Sequence, residues 1–397
     1  MKQRSIAVIT TSRADYGHLR SVLHALKDYD HVRLNLIVLG AHLSPEFGNT
    51  VTEIEQDGFV IGERIECLLS SDTDVGMAKT IGIATQSLAD AFARNRPDLL
   101  LLIADRYEML APASVALAMR IPIAHIEGGE KSEGAIDDAV RNAITKLSHI
   151  HFTPTQSAYT RVINMGEAAW RVHQVGAPSL DQLRLGDLPT VTKIQDVLGI
   201  ELAHPLLFIA YHPVTLLQNT TAEAKALFAA LDRLPGHKLF CFPNADAGSR
   251  KLIDDCHSFC RQHIDANLFI NLPNRIYWGL LAEADAMLGN SSSGIMESPS
   301  LGLPTVNIGI RQRGRERAAN IIDARADAND IVNKTNRALS PEFRTRVKDC
   351  TNPYGDGYAG ERIADILART PLGQSLLIKT TMDDEPERVR PMQRTGG

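Results

Sequence analysis

Residues 98–130, DLLLLIADRYEMLAPASVALAMRIPIAHIEGGE, decide the fold. The near-continuous aliphatic run LLLLIA fits a strand buried on both faces. EMLAPASVALAM then reads as a helix, and IPIAHIE as a second short strand. Strand, helix and strand in succession predict a parallel sheet with helices on its faces. Polar groups are confined to the strand ends. Asp105 and Arg106 follow the first strand, and Glu127, Gly128, Gly129 and Glu130 close the second.

The same alternation extends in both directions. SIAVIT, LNLIVLG and IHFTP complete a first series of strands; LLFIAYH, KLFCFPN, AMLGN and PTVNIG form a second. Between them GAPSLDQLRLGDLPT (176–190) is rich in glycine, proline and polar residues and marks a join. The pattern predicts an α/β protein of two doubly wound, Rossmann-like domains, residues 1–175 and 176–370. The ligand is expected in the cleft between them, at the carboxyl ends of the strands. The last helix, ERIADILAR, can return to pack on the first domain. From residue 371 the chain turns polar and reads as a disordered tail.

Bulk properties narrow the partners. At 397 residues the chain exceeds what one hydrophobic core organises. With 42 Lys and Arg against 47 Asp and Glu the net charge is −5, so nucleic acid and anionic membranes are not expected partners. No apolar run approaches the ~20 residues of a membrane span. The opening MKQRSIAVIT runs directly into a strand, which reads as no leader peptide. Five scattered cysteines point to reduced thiols and a cytoplasmic location. Cys256, His257, Cys260 and His263 share one helical segment without a second ligand cluster, so no metal is expected there.

Chemistry concentrates at the strand ends. In GNSSSGIMESPSLGLPTVNIGIRQRGRER (289–317), Gly289-Asn290 breaks a strand and Ser291, Ser292 and Ser293 open a helix running through Glu297. Free N–H groups, hydroxyls and the helix dipole there suit a phosphate. Arg311, Arg313 and Arg315 follow, where guanidinium groups complete an anion site. The first βα turn, TTSRADYG (10–17), lacks the glycine fingerprints of dinucleotide and NTP binders and offers Arg13 to the cleft.

Asp105 reads as a proton-transfer acid at the cleft mouth, as a helix cap, or as both. Glu127 and Glu130, with His125 beside them, and Asp137 and Asp138 at the start of the next helix add carboxylates. Like charges held close separate an acid from a base. Gly128 and Gly129 let the backbone pass near a ligand. His212, ending LLFIAYHP, can donate to a phosphate or protonate a leaving group. Asn244 sits in the turn FPNADAGS, and Tyr277 with Trp278 offers a stacking face for a base.

SRADYG, ADRYE, HIEGGE, IDDAVRNAITKLSHIHF, YHPVT, NADAGS, GNSSSGIMES and NIGIRQRGR, in this order, resemble the hydrolysing UDP-N-acetylglucosamine 2-epimerases. The family includes bacterial sialic- and legionaminic-acid pathway enzymes and the epimerase half of the animal bifunctional epimerase/kinase. The resemblance spans roughly residues 5–366 and implies a GT-B-like fold. It makes Arg13 a nucleotide-phosphate contact with Arg106 as its neighbour, and puts His212 on the diphosphate. Asn244 would line the nucleotide pocket, Tyr277 the uracil face, Ser291 and Ser292 the phosphates, and Glu297 the ribose. Arg311 would close the site. Asp105, Glu127, Glu130, Asp137 and Asp138 are the positions from which the family draws its proton-transfer groups.

The implied reaction eliminates UDP to give a 2-acetamidoglucal and then hydrates it, with no metal or redox cofactor. The substrate expected first is UDP-N-acetylglucosamine, giving N-acetylmannosamine for sialic-type acid synthesis. The alternative is a UDP- or GDP-linked 2,4-diacetamido-2,4,6-trideoxyglucose of legionaminic acid synthesis, to which HLSPEFG and LLSSDTDVG also point. A homodimer or homotetramer is implied by family habit. A GT-B glycosyltransferase is the competing class, but the acid-rich HIEGGE and IDDAV segments exceed its needs.

Overall fold

Short apolar runs, each closed by a turn and most followed by a helix, pair in parallel into two sheets. A computed structural model describes residues 3–69, 73–104, 106–131, 136–185, 188–214, 223–242, 249–270 and 272–379. The first sheet holds β1 (Arg4–Thr10), β2 (Val32–Leu39), β3 (Ile61–Ile65), β4 (Leu99–Ile103), β5 (Ile123–Ile126), β6 (Ile150–Thr153) and β7 (Val172–Gln174). Its strand order is β3-β2-β1-β4-β5-β6-β7, parallel throughout. The second holds β8 (Leu206–Ala210), β9 (His237–Phe242), β10 (Ala266–Ile270), β11 (Ala286–Gly289), β12 (Thr305–Ile308) and β13 (Ile321–Ala324). Its order is β10-β9-β8-β11-β12-β13, again all parallel. This is the expected pair of Rossmann-like layers.

The central strands are those the apolar runs foretold. Every residue of β4 is fully buried, as a strand covered by helices on both faces requires. β3, β7, β10 and β13, which are not among the strands expected from the sequence, are the four edge strands. Each mixes buried with half-exposed or exposed positions, so none forms the apolar run that identifies a doubly covered strand.

Strand order positions the site. Connections diverge to opposite sides at β1 and β4 in one sheet and at β8 and β11 in the other. Such switch points leave a crevice at the carboxyl ends of the strands. The turns after β1 and β11 contribute to one cavity between the sheets.

The chain returns to the first domain before it ends. Asp181 accepts hydrogen bonds from the N–H groups of Ala359 and Gly360, 3.0 and 2.6 Å, at the start of the helix Ala359–Arg369. Ile363, Ala364 and Leu367 of that helix are buried in the core of the first sheet. The segment expected to be a disordered tail from residue 371 is instead folded as far as Lys379. A helical turn, Gln374–Leu377, buries Leu376 in the same core. The Arg171 guanidinium donates to the carbonyls of Ser375, Leu376 and Ile378. Lys379 adds an ion pair of 2.7 Å to Glu167. Among the described residues no helix is long and apolar enough to cross a membrane.

Candidate active site

The helix Arg13–Lys27 starts where β1 ends because Ser12 caps it: its hydroxyl accepts from the Asp15 N–H, while the Asp15 carboxylate accepts from the Thr11 N–H. This fixes the first two turns, and Arg13, Ala14, Gly17 and His18 fall on one face. That face walls a cavity of about 210 Å³ that the serine turn of the second sheet also lines. Arg13 spans the gap, donating to the Leu272 carbonyl at 2.8 Å while lying 3.1 Å from Glu53.

His18, which the sequence reading passed over, is the titratable group of this face. Its Nδ1 lies 2.7 Å from Oε1 of Glu127. Burial opposes protonation, but the charge and hydrogen bond of Glu127, aided by Glu297 and Asp15, prevail and raise the imidazole to about 9. The same pair holds Glu127 below the usual carboxylate range despite its burial. The first βα turn singled out Arg13 alone, and His18 stands five residues further on, inside the helix.

Among the described carboxylates, Glu127 and Glu130 take different partners. Glu127 reaches the cavity through His18. Glu130 is 3% exposed and turns to another set of partners: Arg161 at 3.7 Å, Arg315 at 3.9 Å and the Tyr354 hydroxyl at 3.4 Å. Burial raises its pKa against the pull of both arginines. Since Arg315 and Tyr354 follow the second sheet's strands, Glu130 ties the two halves together. Asp138 accepts from Asn142 at 3.2 Å and meets Arg141 at 3.5 Å, both on its own helix. Asp137 is half-buried at the first position of that helix. Asp105 and Asn244 lie outside the described residues.

Two residues beside the site hold backbone that L side chains rarely adopt. Ala104 after β4 and Glu127 after β5 have φ of 56° and 65°. Each costs on the order of 1 kcal/mol or more, a strain typical of functional strand ends. His125, expected among the acids, is buried and neutral. Its Nε2 bonds the Ala104 carbonyl at 2.8 Å and its Nδ1 faces the Thr145 hydroxyl at 3.2 Å. Gly129 is required by packing against a helix rather than by a ligand: at φ 78° a Cβ would stand 2.4 Å from the Ala158 carbonyl oxygen.

The serine turn is built on Gly289, whose φ of 141° lets β11 end against Ala210. A Cβ there would lie 2.0 Å from the Ala210 carbonyl oxygen. Asn290, fully buried, then accepts from the His212 N–H at 2.7 Å and donates to its carbonyl at 2.8 Å. The ends of β8 and β11 are thereby clasped. The expected helix from Ser291 through Glu297 is only the four residues Ser293–Met296, followed by a 3-10 turn over Ser298–Leu301. So short a helix has little macrodipole, and the hydroxyls matter more. Ser291 and Ser293 are 3.0 Å apart, and the Tyr277 hydroxyl is 2.5 Å from Ser293. Ser292 caps without a side-chain bond.

The arginines expected to complete the anion site separate. Arg311 donates to the Asn290 carbonyl behind the turn at 3.0 Å, Arg313 is exposed, and Arg315 goes to Glu130 and the Lys131 carbonyl. Arg106 binds Glu108 at 2.9 Å and is not part of the cavity wall. His212 is buried beside Arg311, and both effects push it down to about 3. Burial and the Arg311 charge together favour the neutral ring. Tyr277 lines the cavity with its edge on Phe208, ring centroids 5.1 Å apart. Phe269, Leu272, Asn274 and Trp278 also line the cavity. Glu297, also on the wall, is buried, its Oε2 without a hydrogen-bond partner among the described residues. Burial raises its pKa, with His18 opposing.

The profile of the UDP-N-acetylglucosamine 2-epimerase family matches residues 24–368. The chain is 38% identical over 347 residues to a hydrolysing GDP/UDP-N,N'-diacetylbacillosamine 2-epimerase of Campylobacter jejuni, covering 87% of this chain and 90% of that one. It is 36% identical over 383 residues to a hydrolysing UDP-N,N'-diacetylbacillosamine 2-epimerase of Legionella pneumophila, covering 95% and 98%. Among solved structures, UDP-GlcNAc 2-epimerase of Methanocaldococcus jannaschii, in complex with UDP-GlcNAc and UDP, superimposes with a TM-score of 0.76. The identity there is 16%, over 91% of this chain and 99% of that one, a likeness of fold.

Proposed function

The chain belongs to the UDP-N-acetylglucosamine 2-epimerase family, and from that membership we propose that it is a hydrolysing 2-epimerase acting on a UDP-linked 2,4-diacetamido-2,4,6-trideoxyglucose. The observation that carries this reading is its identity of 38% and 36%, over most of the chain, to two hydrolysing epimerases of N,N'-diacetylbacillosamine nucleotides. These relatives favour the diacetamido sugar over UDP-N-acetylglucosamine, which motif resemblance had placed first. That the enzyme acts on a nucleotide sugar follows from the family itself.

The site supports elimination followed by hydration. A carboxylate takes the C2 proton, the C2–H electron pair becomes the C1=C2 bond, and the C1–O bond breaks with its electrons leaving on the diphosphate. Water then returns hydroxide to C1 and a proton to C2 with inverted configuration, releasing the free sugar. C2–H is a weak acid, so the step needs a positioned base and strong stabilisation of the leaving anion. The base is drawn from the carboxylates at the strand ends, with Asp105 and Glu127 as the candidates; Glu127 reaches the cavity through His18, which holds it ionised. Ser291, Ser292 and Arg13 flank the anion, and the Tyr277–Trp278 end takes the nucleoside.

Proton NMR in D₂O tests this with UDP-N,N'-diacetylbacillosamine, UDP-N-acetylglucosamine and the GDP-linked diacetamido sugar in parallel. The expected result is UDP release with deuterium at C2 of the freed 2-epimer, fastest on the first substrate. Label entering intact nucleotide sugar without UDP release would overturn the hydrolytic reading. Faster turnover of UDP-N-acetylglucosamine would overturn the sugar assignment, and faster turnover of the GDP sugar the nucleotide assignment.

A further inference from the structure

We infer that His18, oriented by Glu127, is the cationic group that binds the diphosphate of the substrate and stabilises it as it departs. The inference rests on the nucleotide-sugar reading above and assigns it a residue that neither the motifs nor the resemblance indicated.

Three observations support it. The first is place: His18, on the helix after β1, and the serine turn after β11 wall the same cavity. The second is orientation. Glu127 holds Nδ1 at 2.7 Å, and among the described residues nothing bonds Nε2, while the side chain keeps 27% exposure. A histidine fixed at one nitrogen offers the other as a directed donor. The third is the fate of the other cations. Of the arginines the resemblance assigned to the anion, Arg106 and Arg311 are absent from the wall, bound to Glu108 and to the Asn290 carbonyl. Arg13 is on the wall but already bonded to the Leu272 carbonyl. Among the described residues of the wall, Arg13 and His18 are the side chains that can present positive charge to a departing diphosphate.

The charge state is consistent with the role. The groups facing His18 are Asp15 on its own helix, Glu127 after β5 and Glu297 from the second half, and their sum keeps the imidazolium charged up to about pH 9. Arg315, which also acts on Glu127 and Glu297, does not reverse this. The cation meets the diphosphate as a charge-assisted donor and needs to transfer no proton.

Calorimetric titration with UDP and with uridine, alongside turnover, separates this role from a structural one. His18→Gln should bind UDP roughly ten- to a hundredfold more weakly, the range for losing one charge-assisted bond. Its affinity for uridine, which has no phosphate, should be unchanged. His18→Lys should recover most of the UDP affinity and part of kcat. Wild-type UDP affinity should fall as pH rises through about 9, with His18→Lys shifted to higher pH. Equal losses for uridine and UDP, or no UDP loss in His18→Gln, would overturn the inference. A wild-type protein that binds UDP through His18 yet turns over no nucleotide sugar would instead remove the epimerase reading and leave this one standing. If the wild type bound no UDP, both would fall.

Discussion

Replacing Asn290 with alanine should loosen the second half of the molecule and its anion site together. The amide makes two buried bonds to one residue, accepting from the His212 N–H at 2.7 Å and donating to the His212 carbonyl at 2.8 Å. Alanine removes both and leaves a donor and an acceptor at the end of β8 with no partner. Each such buried group costs about 1–3 kcal/mol, so the substitution should destabilise by about 2–6 kcal/mol. The Asn290 N–H and carbonyl keep their own bonds, to Ala210 and to Arg311 and Gln312, so the turn survives but is less firmly held. Ser291 and Ser292, directly beyond, should then bind anions less well. Urea unfolding followed by tryptophan fluorescence reads the stability, since Trp278 lies in the second domain. Calorimetry with UDP reads the site, where about a tenfold loss is expected for 1.4 kcal/mol of lost ordering. An unfolding midpoint within error of wild type, with unaltered UDP affinity, would refute the claim that this clasp organises the site.

Two further outcomes follow from buried groups elsewhere. His42, His125 and His149 are almost fully buried and each is pushed down to about 4, chiefly by burial. Because the folded pKa lies below the unfolded one, the unfolded chain binds these protons first. Stability is therefore full above about pH 6.5 and lost as pH falls toward 4, by roughly 2 kcal/mol per histidine at pH 5. His18 opposes this trend, its contribution being complete below 6.5 and lost through about 9. Thermal melting from pH 7.5 to 5 should show a steep fall, and a flat melting temperature would contradict the reading. Arg171→Ala should release residues 374–379, because its guanidinium holds three carbonyls of that segment. Hydrogen exchange should show protection lost there while β4 stays protected, and unchanged protection of the segment would count against the anchor.

Local chemistry made much of this protein legible without a structure. Consecutive aliphatic residues at β1, β4 and β8 have no stable place but a doubly covered parallel strand, and they set the α/β class and the two sheets. Gly289 and the serines after it were readable because a break in a strand followed by hydroxyls is a property of neighbours in the chain. The order of such segments also carried the family. Composition and spacing were weaker where burial is partial. The edge strands β3, β7, β10 and β13 have one neighbour and one covered side, so their patterns resemble loops.

What the sequence by itself determined is therefore the class of fold, the family and the segments that meet in the cleft, since each depends on residues close together in the chain. Only the tertiary structure decided which of their side chains meet. Glu130 and Glu127 stand three residues apart, yet one bridges the two halves through Arg315 and Tyr354 while the other orients His18. Arg311, Arg313 and Arg315 alternate along one loop and reach three different surroundings. A long charged side chain goes where burial and polar or charged partners jointly favour it, and for Glu127, Glu130 and Arg315 such partners lie more than a hundred residues away.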